Sequence, residues 1–230
     1  MKNFHREIQK TADGAVTLYI PEIDEHYHSV NGAITEALHV YITEALNKRI
    51  ESAHDKKDVI NILEVGFGTG LNAFLTLIKS IENNINIVFT TLELYPLNTE
   101  MVNGINYPDL VGAEYKDYFK SLHSAEWNKV VSVNENFSIE KVNVDLKDYI
   151  SEKKFDVIYY DAFAPEKQPE MWNDDIYNKL FSMSNNGCVI TTYCAKGVVR
   201  RGLRDAGFTM ERIPGPPGKR EMIRGTKNID

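Results

Sequence analysis

Apolar residues in this chain gather in short runs, and the spacing inside the runs changes along its length. Over residues 31–50, NGAITEALHVYITEALNKRI, the positions Ile34, Ala37, Leu38, Tyr41, Ile42, Ala45 and Leu46 recur at three- and four-residue intervals. That period predicts a helix with one buried face. From residue 59 the pattern changes. VINILEV, INIVFTTLEL (85–94), FDVIYYDAF (155–163) and CVITTYC (188–194) are nearly unbroken apolar runs. Such runs suit strands covered on both faces. LNAFLTLIKSIE and VVRRGLRDAGF between them predict helices, the second closed near Gly207, and residues 97–128 predict mostly polar helix. KVVSVNENFSIEKVNV (129–144) predicts two strand runs around NEN, and FTMERI with KREMIRG two closing strands around PGPPG. Residues 1–30 predict irregular chain with a hairpin over VTLYIPEIDEHYH.

Strands alternating with helices predict an α/β fold with a doubly wound, mostly parallel sheet of about seven strands and an antiparallel pair at its C-terminal edge. Residues 1–50 form an N-terminal hairpin and helix extension to a core over 59–230. No repeat, linker or low-complexity tract divides the chain, so one domain is expected.

Composition narrows the function classes. The 230 residues carry 26 basic and 33 acidic groups, a net charge of −7, so overall charge does not mark a polyanion binder. No apolar run is long enough to span a membrane, and MKNFHREIQK lacks the apolar core of a signal peptide. The two cysteines, Cys188 and Cys194, have neither zinc nor CxxC spacing and read as core thiols. A cytoplasmic protein is expected.

Chemistry concentrates at strand ends. LEVGFGTGLN (63–72) links a strand to a helix with Gly66, Gly68 and Gly70 alternating. The sixth position of a dinucleotide fingerprint would be Leu71, so the G-x-G-x-x-G spacing fails. The helix N-terminus offers free N–H groups to a carboxylate. Glu64 offers acceptors for the loop or for an ammonium, and Asn72 offers both donors and acceptors. Glu93, 23 residues past Gly70, is placed for ribose hydroxyls. Asp145 suits an adenine amine, or equally a cap for DLKDYI. Asp161 closes a fourth run. Acids and glycines without a phosphate-binding Lys or Arg fit a phosphate-free nucleoside with an amino-acid tail. S-adenosyl-L-methionine meets that description; NAD and ATP meet it less well.

These segments, with EHYHSVNGAITEALHVYI (25–42), DAFAPEKQPEMW (161–172), TYCAKGVVRRGLRDAGF (192–208) and PGPPGKREMIRG (214–225), resemble the class I S-adenosylmethionine-dependent methyltransferases. Within that class the chain resembles the methyltransferase domain of the MnmC-type tRNA methyltransferases, over nearly its whole length. The resemblance implies a Rossmann-like fold and S-adenosyl-L-methionine as cofactor. It implies N-methylation of the aminomethyl group of 5-aminomethyl-(2-thio)uridine at the tRNA wobble position. The bifunctional members also carry an FAD-dependent oxidase domain, for which this chain lacks the length, so a stand-alone, MnmD-like methyltransferase is expected.

On that reading Asp161 holds the amine and is also a candidate contact for the methionine amino group of the cofactor, with Glu64, Gly66, Phe67, Gly68, Gly70, Asn72, Glu93 and Asp145 around the cofactor. Phe163 or Trp172 is placed to stack on the base, with Lys167 near a phosphate; Trp172 as plain core is the alternative. Tyr27, Ser29, Asn31 and Glu36 are secondary candidates, and Ser29 or Asn31 is expected to cap the helix that follows. Residues 196–224 hold eight basic groups against three acids, a local +5 that suits the phosphates of an anticodon stem-loop. Lys196, Arg200, Lys219 and Arg220 are its candidate contacts. His26, His28, Glu36 and His39 have conceivable ligand spacings, but amine methylation needs no Lewis acid and no metal is expected. The competing readings are a small-molecule amine N-methyltransferase, an aminopropyltransferase, and a non-catalytic subunit that binds the cofactor and positions tRNA.

Overall fold

The structure, a computed structural model, describes residues 4–52 and 59–228. Its centre is an eight-stranded sheet in the order β10-β11-β9-β8-β4-β5-β7-β6. The strands are β4 (Ile60–Val65), β5 (Ile87–Leu92), β6 (Val130–Ser132), β7 (Phe137–Val142), β8 (Phe155–Tyr160), β9 (Ser184–Thr192), β10 (Thr209–Pro214) and β11 (Glu221–Thr226). The five central strands β9, β8, β4, β5 and β7 run parallel; β6 pairs antiparallel with β7 at one edge, and at the other β11 pairs antiparallel with both β9 and β10. The expected parallel sheet with an antiparallel C-terminal pair is therefore present, with eight strands.

Burial follows from sequence. β8, FDVIYY, is buried at every position, as a parallel strand covered on both faces must be. Edge strand β10 is mostly exposed and carries polar residues at Thr209, Glu211 and Arg212. Helix α3 (Leu71–Asn83) covers one face and α7 (Asp174–Ser182) and α8 (Gly197–Asp205) the other. Both cysteines are buried in the apolar core, and burial pushes the Cys188 thiol up to about 12. No helix among the described residues is long and apolar enough to cross a membrane.

The chain runs from β4 to β5 on one side, then returns to β8 on the other side of β4. This reversal opens a crevice beyond the carboxyl ends of β4 and its neighbours, where ligands of open α/β sheets bind. The glycine loop, Glu93 and Asp161 all leave the sheet at that edge.

The N-terminal region is more ordered than its sequence predicts. β1 (Glu7–Lys10), β2 (Val16–Ile20) and β3 (Glu25–His26) form an antiparallel three-stranded sheet. The β2–β3 hairpin is the expected one; β1, EIQK, is mostly exposed and leaves no apolar signature. The following helix differs in winding. α1 (Ala33–Ala37) passes into a π-helical segment, Leu38–Asn47, and then into α2 (Lys48–Ser52). The expected stripe is kept at Ala37, Tyr41, Ile42, Ala45 and Leu46, which are buried, and changes where the winding widens. Leu38, expected inside, is 42% exposed, and Val40 is fully buried instead. Neither Ser29 nor Asn31 caps the helix. Asp13, from the β1–β2 turn, accepts from the Thr35 backbone N–H at 3.0 Å and so fills that role from outside the helix.

Helix α8 is fitted closely to α7. A Cβ on Gly202 would lie 2.4 Å from the Tyr177 ring, closer than two atoms can approach. Gly202→Ala should therefore destabilise the protein by about 1–3 kcal/mol by overpacking, against the usual gain from removing a helical glycine. Urea unfolding at neutral pH measures this, and an unchanged or raised midpoint would refute it.

Candidate active site

The carboxyl edge of the sheet opens into a cavity of about 670 Å3, within the size range of small-molecule sites. Its floor is the glycine loop, where Gly66, Gly68 and Gly70 all take positive φ values of 96°, 51° and 75°. That backbone favours glycine. A Cβ on Gly66 would stand 3.0 Å from the Asp161 carbonyl oxygen, so the loop after β4 and the chain after β8 touch through their backbones. A Cβ on Gly68 would stand 3.0 Å from the Tyr27 ring at the cavity wall. Gly70 lies outside the cavity. It begins α3, with its N–H donating to the Phe67 carbonyl at 2.8 Å.

The predicted acids diverge in role. Glu93 lines the cavity and fastens the loop: Oε2 accepts from the Gly68 N–H at 2.9 Å and Oε1 from the Tyr95 N–H at 2.7 Å. Asp145 also lines the cavity, and its Oδ1 accepts from the Lys147 N–H at 3.0 Å, so it organises the following turn as well. Glu64 does not reach the cavity. It is fully buried between β5 and β8, beside Thr91 and Tyr159 in the strand register, so its expected contact with the cofactor is corrected.

Asp161 stands at the centre. The Tyr41 hydroxyl donates to Oδ1 at 2.5 Å and the Asn72 Nδ2 donates to Oδ2 at 2.9 Å. Burial raises the carboxyl pKa to about 6; the bonds from Tyr41 and Asn72, and the Lys219 ammonium, resist the rise. Asp161 is therefore mostly ionised at neutral pH, yet a stronger proton acceptor than an ordinary aspartate. Asn72, placed with the cofactor in sequence, serves Asp161 directly.

The rest of the cavity comes from distant segments. Phe163 lines it and meets Tyr27 edge to face at 5.3 Å. Arg6 Nε donates to the Tyr27 hydroxyl at 2.9 Å and fixes that ring. Lys219 Nζ donates to Glu36 Oε2 at 2.6 Å and lies 4.3 Å from the centre of the Tyr193 ring. Ser29 is at the wall, where its N–H donates to Glu36 Oε1 at 3.3 Å. Lys167 faces Asp24 at 3.8 Å, so its charge is partnered within the chain.

Other predicted residues fall outside. Asn31 is exposed and packs near Gly218. Trp172 sits behind the proline loop; its Nε1 donates to the Phe163 carbonyl at 2.7 Å and its ring lies 4.7 Å from Tyr160. It braces the loop rather than facing a base. Lys196, Arg200 and Arg220 are likewise away from the cavity. The basic segment is largely partnered: Lys196 pairs with Glu166, Lys219 with Glu36, Arg212 with Glu221, and Arg224 with Glu44 and Glu211. Acids from elsewhere in the chain fold onto it, which the local +5 does not count. Among the described residues Arg200, Arg201 and Arg220 carry no ion pair.

The histidines do not converge. His28 lies against Thr17 and Thr69, His26 against Gln9, and His39 against the Pro214 carbonyl. Among the described residues no group of three or more His, Cys, Asp or Glu is placed to hold a metal ion. Sequence reasoning missed Tyr41 and Tyr193 as site residues. Both look like core aromatics in apolar runs, yet a buried tyrosine hydroxyl needs a partner, and those partners are Asp161 and the Ala162 carbonyl.

A family model described as S-adenosyl-L-methionine-dependent methyltransferase matches residues 107–228. The chain is 32% identical over 221 residues to the tRNA 5-methylaminomethyl-2-thiouridine biosynthesis bifunctional protein MnmC of Vibrio vulnificus (strain YJ016), covering 88% of this chain and 32% of that protein. It is 28% identical to the protein of that name from Pseudoalteromonas translucida (strain TAC 125), covering 89% of this chain and 34% of the relative. It thus spans about a third of the length of these curated relatives. In fold it is similar to MNMC2 from Aquifex aeolicus, with a TM-score of 0.81 at 23% identity over 100% of this chain and 72% of that one. It is also similar to spermidine synthase from Thermotoga maritima, with a TM-score of 0.59 at 11% identity, again over 100% of this chain and 72% of that one.

The cavity suits the cofactor of this family. Six carboxylates and three lysines line it, so its field favours a cationic sulfonium over a polyphosphate. The glycine backbone leaves space that side chains would fill, and Glu93 and Asp145 present acceptors along one wall.

Because the Tyr41 hydroxyl stabilises the Asp161 carboxylate, Tyr41→Phe should raise the Asp161 pKa further above about 6. Carbon-13 NMR titration of the aspartate carboxyls measures it. An unmoved titration would show that the hydroxyl does not hold the charge.

Proposed function

The chain belongs to the S-adenosyl-L-methionine-dependent methyltransferases, and from that premise we propose that it N-methylates the aminomethyl group of 5-aminomethyl-(2-thio)uridine at a tRNA wobble position. The observation that carries the reading is the placement of Asp161: a carboxylate held from behind by Tyr41 and Asn72, with its remaining lone pairs open to the cavity. The names of the similar MnmC proteins support the tRNA substrate.

A primary alkyl amine has a lysine-like pKa near ~10.4 and enters mostly as an ammonium. Only its neutral lone pair is a nucleophile. The bound cofactor supplies an electrophilic methyl group. Asp161 receives the ammonium, accepts hydrogen bonds from it and aims the nitrogen across the cavity. Fixing the nucleophile in this way removes orientational freedom from the reaction, a contribution that reaches several kcal/mol in well-ordered sites. The raised Asp161 pKa makes the carboxylate a competent station for the departing proton. Phe163 and Tyr27 give the base an aromatic wall, and Lys219 with Glu36 forms a polar one. Within residues 196–224, Arg200, Arg201 and Arg220 are the basic groups without an ion pair among the described residues, and so the ones left to meet phosphates outside the cavity.

The direct test uses labelled S-adenosylmethionine with tRNA that carries the aminomethyl group but lacks the terminal methyl. Nucleoside mass spectrometry should find the label on the wobble uridine's side-chain nitrogen. Label on free polyamine instead, or no transfer, would overturn the reading. In the same assay Asp161→Asn should lower kcat by about 100-fold or more while cofactor affinity stays close to wild type. Loss of the Asp161 charge below its pKa implies that wild-type kcat falls with decreasing pH through about 6, and that Asp161→Asn lacks this limb.

Surface charge gives a separate prediction. Replacing Arg201 and Arg220 together by alanine should weaken tRNA binding and flatten its salt dependence by about one unit of slope per lost phosphate contact. Filter binding across a salt series measures this. An unchanged slope would place the tRNA on another surface.

A further inference from the structure

Glu64 is a buried acid with no cation beside it. It is fully enclosed in β4, and the Thr91 hydroxyl donates to its Oε2 at 2.6 Å. Its Oε1 is buried and has no hydrogen-bond partner. The Asn72 side chain lies against it, and the amide oxygen of Asn72 is also buried and unpartnered. Each of these oxygens only accepts, and each orphan is costly at this depth. The groups facing Glu64 are Thr91 from β5, Tyr159 from β8, Asn72 from α3, and the carboxylates of Asp161 and Glu93. The Tyr159 hydroxyl is engaged with Thr76 Oγ1 at 3.2 Å. The charged neighbours thus share the sign that an ionised Glu64 would carry.

We propose that Glu64 is a neutral carboxylic acid in the folded protein, that its O–H donates to the Asn72 amide oxygen, and that it thereby positions Asp161. One proton removes both orphans. Thr91 donates to Glu64, Glu64 to Asn72, and Asn72 to Asp161, so that neither Glu64 Oε1 nor Asn72 Oδ1 is left without a partner. The proton also sets polarity. With its oxygen held by Glu64, the Asn72 amide can present only N–H to Asp161. A turned amide would set its oxygen against the Asp161 carboxylate. Burial and the carboxylates of Asp161 and Glu93 raise the Glu64 pKa well above the usual glutamate range, against the Thr91 and Asn72 side chains, which lower it. The pair of acids then divides its labour: Glu64 stays uncharged so that Asp161 can be charged. This deepens the proposed function and rests on Asp161 as the amine-holding group.

Infrared spectroscopy of the intact protein, without substrate, reads the proton directly. Wild type at pH 7 should show the C=O stretch of a protonated carboxylic acid. The band should vanish in Glu64→Gln and persist in Asp161→Asn. Glutamine keeps an N–H donor for Asn72 and an acceptor for Thr91, so Glu64→Gln should retain kcat within about two-fold and keep the limb near pH 6. Glu64→Leu, which leaves Asn72 Oδ1 without a donor, should lower kcat with little change in cofactor affinity and move that limb. Absence of the band in wild type overturns the proposal, as does a Glu64→Gln protein with Glu64→Leu kinetics. Because the band needs no tRNA, its presence beside a failed tRNA assay would sink the proposed substrate alone.

Discussion

A carboxylate withdrawn from water must be held charged by its neighbours, and the cavity is organised around that requirement at Asp161. Burial opposes its charge; Tyr41 and Asn72 donate to it. Those two donors come from helices that precede and follow β4, while Asp161 itself follows β8. Three separate parts of the chain therefore converge on two oxygen atoms. The strand reversal at β4 makes this possible, since it brings the ends of β4 and β8 side by side at the carboxyl edge. Gly66 completes the fit by letting the backbone after β4 approach the Asp161 carbonyl.

The two sides of the cavity are consequently not independent. Glu93 holds Gly68, Gly68 lies against Tyr27, and Tyr27 meets Phe163. This sequence of contacts runs from the end of β5, through the N-terminal sheet, to the proline loop. The short three-stranded sheet is therefore a wall of the cavity rather than an appendage. Lys167 and Asp24 approach across the same boundary.

Much of the fold was legible because its signals are local. Apolar runs marked the parallel strands, alternating glycines marked the turn after β4, and acids at run ends marked Glu93, Asp145 and Asp161. What escaped depended on winding or on distant partners. Tyr41 looked like one more apolar face residue, since a π segment cannot be told from an α-helix by apolar spacing alone. The charge of residues 196–224 looked free because its acids lie far away in sequence: Lys219 and Glu36 are 183 residues apart, and Arg224 and Glu44 are 180 apart. Glu64 followed the rule that acids before a glycine loop face a ligand, but strand pairing on both sides encloses it. Trp172 had two readings, and the bond to the Phe163 carbonyl favours the structural one.

The π-helical segment makes the N-terminal helix a length gauge. Tyr41 reaches Asp161 only if the turns on either side of it carry their present number of residues, because the wide winding absorbs more chain per turn than an α-helix does. Removing a single residue between Leu38 and Asn47 would let the segment relax to α geometry and swing one flank about 100° around the axis relative to the other. An insertion in an exposed loop disturbs little beyond that loop. Here a change of one residue, well away in sequence from the glycine loop, would decide which side chain faces Asp161.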